Sequence, residues 1–303
     1  MIGGSTRRRL GQAGSALVEP NPALDMVIAE VAELRPLPMV AVRVLEISEG
    51  ERFSAHELAQ TIATDQALTS KVLRLSNSAY YGFPRRISTV RDAVVLLGFR
   101  AVRSATLASC VIDTLPGGEV LDPVEAWRFS VTVGLLAEVM ARATRIHQDE
   151  AFTAGVIHNI GRLALDQQRP RELAAARVLA AQRGMTIPEA QRAVLGFTDA
   201  ELGGALALHW NFPTDLAEAV AGHQLDVGHL PDPKSVTAQV VRARMYARAS
   251  GITDGYEGRL TRDRAGREWT DPPVGPALAQ SGGLDGILQK VAAFIENAAG
   301  GNR

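Results

Sequence analysis

The chain has 303 residues, is 46% hydrophobic and 21% charged, and sets 32 Lys+Arg against 33 Asp+Glu for a net charge of −1. That is ordinary globular composition with enough length for a sizeable core; it excludes wholesale disorder and a protein held to nucleic acid by bulk charge. Aromatic residues are only 5% and a single cysteine is present, so helices packed through small aliphatic side chains are favoured and an intramolecular disulfide framework is excluded.

Residues 1–22 carry Gly, Ser, Arg and Pro without periodicity and read as a disordered tail. Leu24, Val27, Ile28, Val31 and Leu34 then recur at helical steps, Pro36 and Pro38 interrupt, and Val40 to Ile47 begin a second helix. Ser54-Ala55-His56-Glu57 is a capping box opening a short helix with Leu58 and Ile62; His56 lies solvated in its first turn. Asp65 caps the next helix, whose Leu68, Val72 and Leu75 share one face. Asn77 to Arg86 is a loop by its Gly, Pro and Asn content, with Asn77 capping the preceding helix end. Ser88 or Thr89 starts a helix with Ala93, Val94 and Leu97 inward, which Gly98 closes as a left-handed cap. A further apolar helix from about Arg100 to Leu115 buries Cys110 as an inert thiol.

Pro116-Gly117-Gly118 marks the clearest internal boundary, and Asp122-Pro123 is a strong helix start. The helix it opens places Val124, Trp127, Val131 and Leu135 on one stripe. Asp149 opens another, with Phe152, Val156, Ile160 and Leu163 aligned through to Leu163. An Arg- and Ala-rich helix spans about 171–183; Thr186 to Glu189 and Thr198 to Glu201 are two more capping boxes. Helices near 214–223, 234–249 and 284–298 complete an all-α chain, with 251–283 read as a long irregular segment.

Six histidines, His56, His147, His158, His209, His223 and His229, are the first place to look for chemistry. No HExxH, CxxC, P-loop, GxGxxG or GxSxG motif occurs; the suggestive string is Gly155-Val156-Ile157-His158-Asn159-Ile160-Gly161. His158 has two readings: a core histidine held by one hydrogen bond, or part of a ligand pocket with Asn159, His209 and His223. Separately, Arg85, Arg86, Arg91, Arg100 and Arg103 flank the aromatic Tyr80-Tyr81-Gly82-Phe83 loop. They form either a solvated surface or a patch for an anion or an acidic partner.

The His158 string resembles the His-Asp-Ile-Gly signature of the HD phosphohydrolase superfamily, with Asn159 where the metal-binding Asp would stand. Its surroundings resemble the HDOD branch, the HD-related output domain. The resemblance is carried by Leu37-Pro38, Asp65 to Thr69, Val72 to Ser78, Tyr81-Gly82 and Ala93 to Gly98. Trp127, Ser130, Glu201-Leu202-Gly203 and Trp210 to Pro213 continue it, so that it covers about residues 24–250.

This implies an all-α HDOD fold, with an N-terminal helical subdomain (24–118) packed on a degenerate HD-like bundle (119–250), followed by 251–303 as an irregular segment plus C-terminal helix. Carried over by position, Phe129 stands where an active enzyme keeps its first metal-binding His, Asp199 near a further family His, and Arg244 where the last Asp belongs. A phenylalanine contributes no ligand atom, an amide is a weak donor, and an arginine adds positive charge, so neither metal nor cofactor is expected, nor catalysis.

The resemblance implies a non-catalytic bacterial signalling protein that binds a partner protein or a nucleotide second messenger, as in cyclic di-GMP signalling. The opposing readings are a metal-dependent phosphohydrolase or cyclic-dinucleotide phosphodiesterase with atypical ligands, and a nucleic-acid-binding regulator using the Arg patch, which the charge balance disfavours. No apolar run reaches the roughly 18 residues of a spanning helix, so a soluble, cytoplasmic protein without a membrane partner is expected. Ligand, partner and oligomeric state are left open.

Overall fold

In the computed structural model the described residues are 21–34, 38–47, 54–77, 86–115, 118–230, 232–261 and 265–299. Every regular element among them is helical. The first six are α1 (Pro22–Leu34), α2 (Met39–Glu46), α3 (Ser54–Ala63), α4 (Gln66–Ser76), α5 (Val90–Leu97) and α6 (Phe99–Thr114). Next come α7 (Pro123–Thr144), α8 (Gln148–Ile157), α9 (Ile160–Gln168), α10 (Pro170–Arg183) and α11 (Ile187–Leu195). The chain continues with α12 (Asp199–His209), α13 (Thr214–Gly222), α14 (Val236–Ala249), α15 (Val274–Gln280) and α16 (Gly283–Ala299). Among the described residues no helix is long and apolar enough to cross a membrane.

Local sequence sets most of the boundaries. The side chains of Asp65, Thr89, Asp122, Thr186 and Thr198 each accept a backbone N–H of the first turn that follows, the last two as full capping boxes. Asn21 does the same for α1, accepting from the amides of Ala23 and Leu24, so the helix begins inside the expected tail. The Ser54 side chain and residues 1–20 lie outside the described residues, as does the loop 78–85. Asn77 caps α4 and does more: its amide Nδ2 donates to Leu73 O and Ile87 O, and its Oδ1 accepts from Ile87 N, each at 2.7 Å. It therefore ties together the two ends of that loop. Gly98 has the positive φ expected of a cap, but at φ 92 and ψ 155 it is extended rather than α-left, joining α5 directly to α6.

Helix α7 is the axis of the larger half. Trp127, Phe129, Val131, Leu135, Leu136 and Met140 are buried on several sides of it, and α8, α14, α15 and α16 pack around it. Val124 departs from the expected stripe: it is 62% exposed, whereas Ala126 and Trp127 beside it are buried. One apolar core runs continuously from Leu24 to Phe294, and α16 reaches back to pack on both α4 and α7. The joint between the halves is pinned by the buried Asp166, whose carboxylate accepts the amides of Gly118, Val120 and Leu121.

The described residues of the 251–283 segment, 251–261 and 265–283, are more ordered than their composition suggests. They contain a turn of 3-10 helix (Arg267–Trp269) and α15, and Tyr256 and Trp269 are buried within the fold. Besides their local turns they are held by partners distant in sequence, such as Leu173 O for the Tyr256 hydroxyl and Arg142 for Ser281, which periodicity does not register.

Candidate functional site

Two close approaches build the site, and both use glycines of the His158 string. A Cβ on Gly155 would lie 2.5 Å from Gly134 Cα, so α7 and α8 cross at backbone contact and bring Phe129 beside His158. A Cβ on Gly161 would lie 1.9 Å from Asp199 O, so α9 and α12 touch in the same way and put residue 162 beside Asp199. The sequence pattern ran one helix through this string. The chain instead breaks at His158-Asn159 between α8 and α9, which turns successive side chains into one interior space.

His158 and His223 are fully buried neighbours with ring centroids 5.0 Å apart and planes at 74°. Phe129 lies edge-on to His158 at 5.5 Å. His158 Nδ1 lies 2.6 Å from Gly155 O, and His223 Nδ1 lies 2.7 Å from Val220 O. A carbonyl oxygen only accepts, so each Nδ1 carries the proton and each Nε2 presents a lone pair. Neither Nε2 has a hydrogen-bond partner. Burial holds both rings neutral, reinforced at His158 by His223 and at His223 by the Arg244 charge; His223 is pushed down to about 3. His209 does not join them. It is exposed at the end of α12, where Trp210, four residues after the buried Leu206, takes the inward position instead.

Next to the histidines lies a feature the sequence did not announce. Arg162 is 1% exposed, and all three arms of its guanidinium are bound. Nε donates to Asp199 Oδ2, Nη1 to Asp254 Oδ2 at 2.5 Å, and Nη2 to Glu257 Oε1 at 2.5 Å. Arg244 Nη2 donates to both Glu257 oxygens, and Arg248 Nη1 lies 2.7 Å from Glu257 Oε2. Asn159 Nδ2 reaches Asp254 at 3.4 Å, and Gln224 Nε2 donates to Asp199 Oδ1 at 2.5 Å. Tyr256 covers Arg162, its ring centroid 4.9 Å from the guanidinium carbon, and its hydroxyl donates to Leu173 O at 2.8 Å.

Three arginines and three carboxylates thus balance in the interior. Burial opposes charge on Glu257, yet Arg244, Arg162 and Arg248 hold its carboxyl well below the usual carboxylate range. Burial likewise opposes charge on Arg162, and Asp199, Asp254 and Glu257 overcome it, raising its pKa well above the ordinary value. Such a set is stable only while it is complete, since an uncompensated buried charge costs several kcal/mol.

A metal of the HD type does not fit these residues. Phe129 offers no donor atom, Asn159 turns its amide N–H toward Asp254, and Arg244 points its charge at Glu257. Asp199, Asp254 and Glu257 are already spent on the Arg162 guanidinium, a fixed organic cation. Among the described residues no three His, Cys, Asp or Glu side chains are grouped so as to hold a metal ion.

Arg85 and the aromatic loop lie outside the described residues, while Arg86 and Arg91 are exposed. Arg100 Nη1 lies 2.6 Å from His147 Nδ1. Arg103 is committed to the fold: its Nε and Nη2 donate to Val44 O and Leu45 O, the orphan carbonyls at the end of α2. Sequence reasoning missed Arg162, Asp254 and Glu257. The only local signal was a charged residue among Ile160, Leu163 and Ala164, in a helix that is buried from Ile160 to Asp166.

Three solved structures are similar over nearly the whole chain. An HDOD domain protein of unknown function from Geobacter sulfurreducens is 22% identical at a TM-score of 0.72, covering 90% of this chain and 99% of that one. A candidate phosphohydrolase from Shewanella amazonensis SB2B is 25% identical at 0.67, covering 92% and 97%. A candidate signal transduction protein from Marinobacter aquaeolei VT8 is 21% identical at 0.66, covering 94% and 62%. An uncharacterised Treponema pallidum protein is 24% identical over 252 residues, and the chain spans about half (48%) of that curated relative's length. The HDOD domain model matches residues 34–225, well over half of the chain, and with the helical architecture and the altered His158 string this makes the chain a member of the HDOD family with a degenerate HD-like site.

Proposed function

We propose that the chain is a non-catalytic regulatory protein of bacterial signalling, cytoplasmic in location, whose output is binding: of a partner protein, or of a nucleotide second messenger such as cyclic di-GMP. The observation that carries this reading is the Arg162 guanidinium bound to Asp199, Asp254 and Glu257 beside His158. Phosphodiester hydrolysis on this scaffold needs a metal-activated water, and these carboxylates already have their cation. Membership of an output-domain family and the signalling name borne by the Marinobacter relative support the regulatory role.

The test is metal analysis of the purified chain together with phosphodiesterase and phosphomonoesterase assays in added Mn²⁺, Fe²⁺ and Zn²⁺. Substoichiometric metal and no turnover are expected. A stoichiometric metal centre, with turnover abolished by His158→Ala, would establish the enzyme reading instead. Binding of cyclic di-GMP by calorimetry decides between the nucleotide and the partner protein as the occupant.

A further inference from the structure

The balanced charge of the interior cluster conceals an uneven distribution. Glu257 presents two oxygens to three guanidiniums: Oε1 takes Arg162 and Arg244, both at 2.5 Å, and Oε2 takes Arg244 again and Arg248 at 2.7 Å. Arg244 Nε, buried beside them, has no hydrogen-bond partner. A guanidinium is a fork of donors that one carboxylate matches in a bidentate pair. Three forks on one carboxylate, with a donor left over, suit an acceptor with more oxygens and more charge. A phosphoryl group has three terminal oxygens and a charge near −2.

The carboxylates divide in a telling way. Asp199 belongs to α12 and is steadied by Gln224, whereas Asp254 and Glu257 both come from the short segment 251–258. With that segment withdrawn, Arg162, Arg244 and Arg248 face Asp199 alone, leaving two positive charges in surplus. Arg162 keeps its Nε bond to Asp199 and stays aimed, so the pocket floor is set in advance. The segment is a tight turn closed on itself: Asp254 Oδ1 accepts the amides of Tyr256 and Glu257 at 3.1 Å, and Gly255 takes a φ of +76. Solvent reaches the cluster from the Arg248 side, whose side chain is 15% exposed against 1% for Arg162.

We infer that residues 251–258 are a removable plug over a phosphate-binding pocket made by Arg162, Arg244 and Arg248, with the Glu257 carboxylate holding the place of a ligand's phosphoryl group. This rests on the proposed reading of the chain as a binding protein and specifies the ligand chemistry and regulation of the same site. A phosphorylated ligand competes with the plug; on its departure Asp254 and Glu257 return to the arginines and the surface around residues 251–258 is restored.

The full chain is titrated with inorganic phosphate, against chloride at matched ionic strength, in the wild type, Glu257→Gln and Glu257→Gln/Arg248→Gln. Glu257→Gln removes the competing charge at nearly constant shape, so it is expected to bind phosphate at least about tenfold more tightly than the wild type, with the gain lost in the double variant. In the wild type, amide hydrogen exchange over residues 252–260 is expected to quicken with phosphate and not with chloride. A folded Glu257→Gln protein that binds phosphate no better than the wild type overturns the inference. If that variant does not fold, the wild-type exchange decides: no phosphate-specific change overturns it. Neither readout involves turnover, so phosphodiesterase activity would defeat the proposed function and leave the plug to be judged on binding.

Discussion

The two halves of the molecule bury different chemistry. In α1 to α6 the interior is aliphatic, with Leu58, Ile62, Leu68, Val72 and Val102 at its centre. Its buried polar groups are hydroxyls: Ser76 returns to Val72 O, Thr106 to Val102 O and Thr114 to Cys110 O within their own helices, and Ser104 reaches Asp149 O of α8. Even its thiol is inert, since burial pushes Cys110 up to about 12. The half built on α7 to α14 encloses Arg162, Asp199, Asp254, Glu257 and Arg244 with two neutral histidines. Packing alone explains the first interior. The second carries charges that a well-packed aliphatic core often replaces without loss of stability, so packing alone does not account for it.

Removing the central cation should break that contrast most visibly. Arg162→Met leaves Asp199 and Asp254 buried without a cation while Glu257 keeps Arg244 and Arg248, and about 3–5 kcal/mol of unfolding free energy should be lost in urea denaturation. A loss below about 1 kcal/mol would mean that the charges are screened by water and not a closed set. In the aliphatic half, Leu58→Ala removes a fully buried side chain and should cost about 2–5 kcal/mol, with no dependence on pH between 4 and 8.

Acid should separate the halves. His158 and His223 have folded pKa values below that of a free imidazole, so the unfolded chain binds more protons as pH falls below about 6.5. Their stabilising contribution is complete above that pH and is lost on acidification at up to about 1.4 kcal/mol per pH unit for each ring. Glu257, also depressed, adds to the loss only below its own unfolded value near 4.5. Hydrogen exchange at pH 5 should therefore show α8, α9 and α13 losing protection before α3 and α4. His223→Phe should halve the slope, and an unchanged slope would mean that the rings are solvated. The smallest effect sharpens the comparison at the joint: Asp122→Ala removes the cap of α7 and should cost about 1 kcal/mol.

What the sequence made legible follows the same division. Helix starts were readable where one side chain caps its own first turn, as at Asp65, Thr89, Asp122, Thr186 and Thr198. The neighbours of His158 were partly readable: Phe129, Asn159 and Arg244 lie in or beside its interior space, and His223 is against its ring. His209 was misread because a helical step from Leu206 does not say where the helix ends. The charge cluster was invisible for a plainer reason. Arg162 meets Asp254 and Glu257 across 92 and 95 residues, and those acids sit in a segment whose Gly, Pro and mixed charge resemble any surface loop.

The proposed function requires that Asp199, Asp254 and Glu257, held by the Arg162 guanidinium, bind no metal beside His158. Thermal unfolding of the chain with EDTA, and with Mn²⁺, Fe²⁺ or Zn²⁺ in turn, tests it most directly, because a bound metal stabilises the folded state by mass action. A midpoint that moves by less than about 1 °C across the series is expected. A rise of several degrees with one metal, reversed by EDTA and absent in His158→Ala, would contradict it.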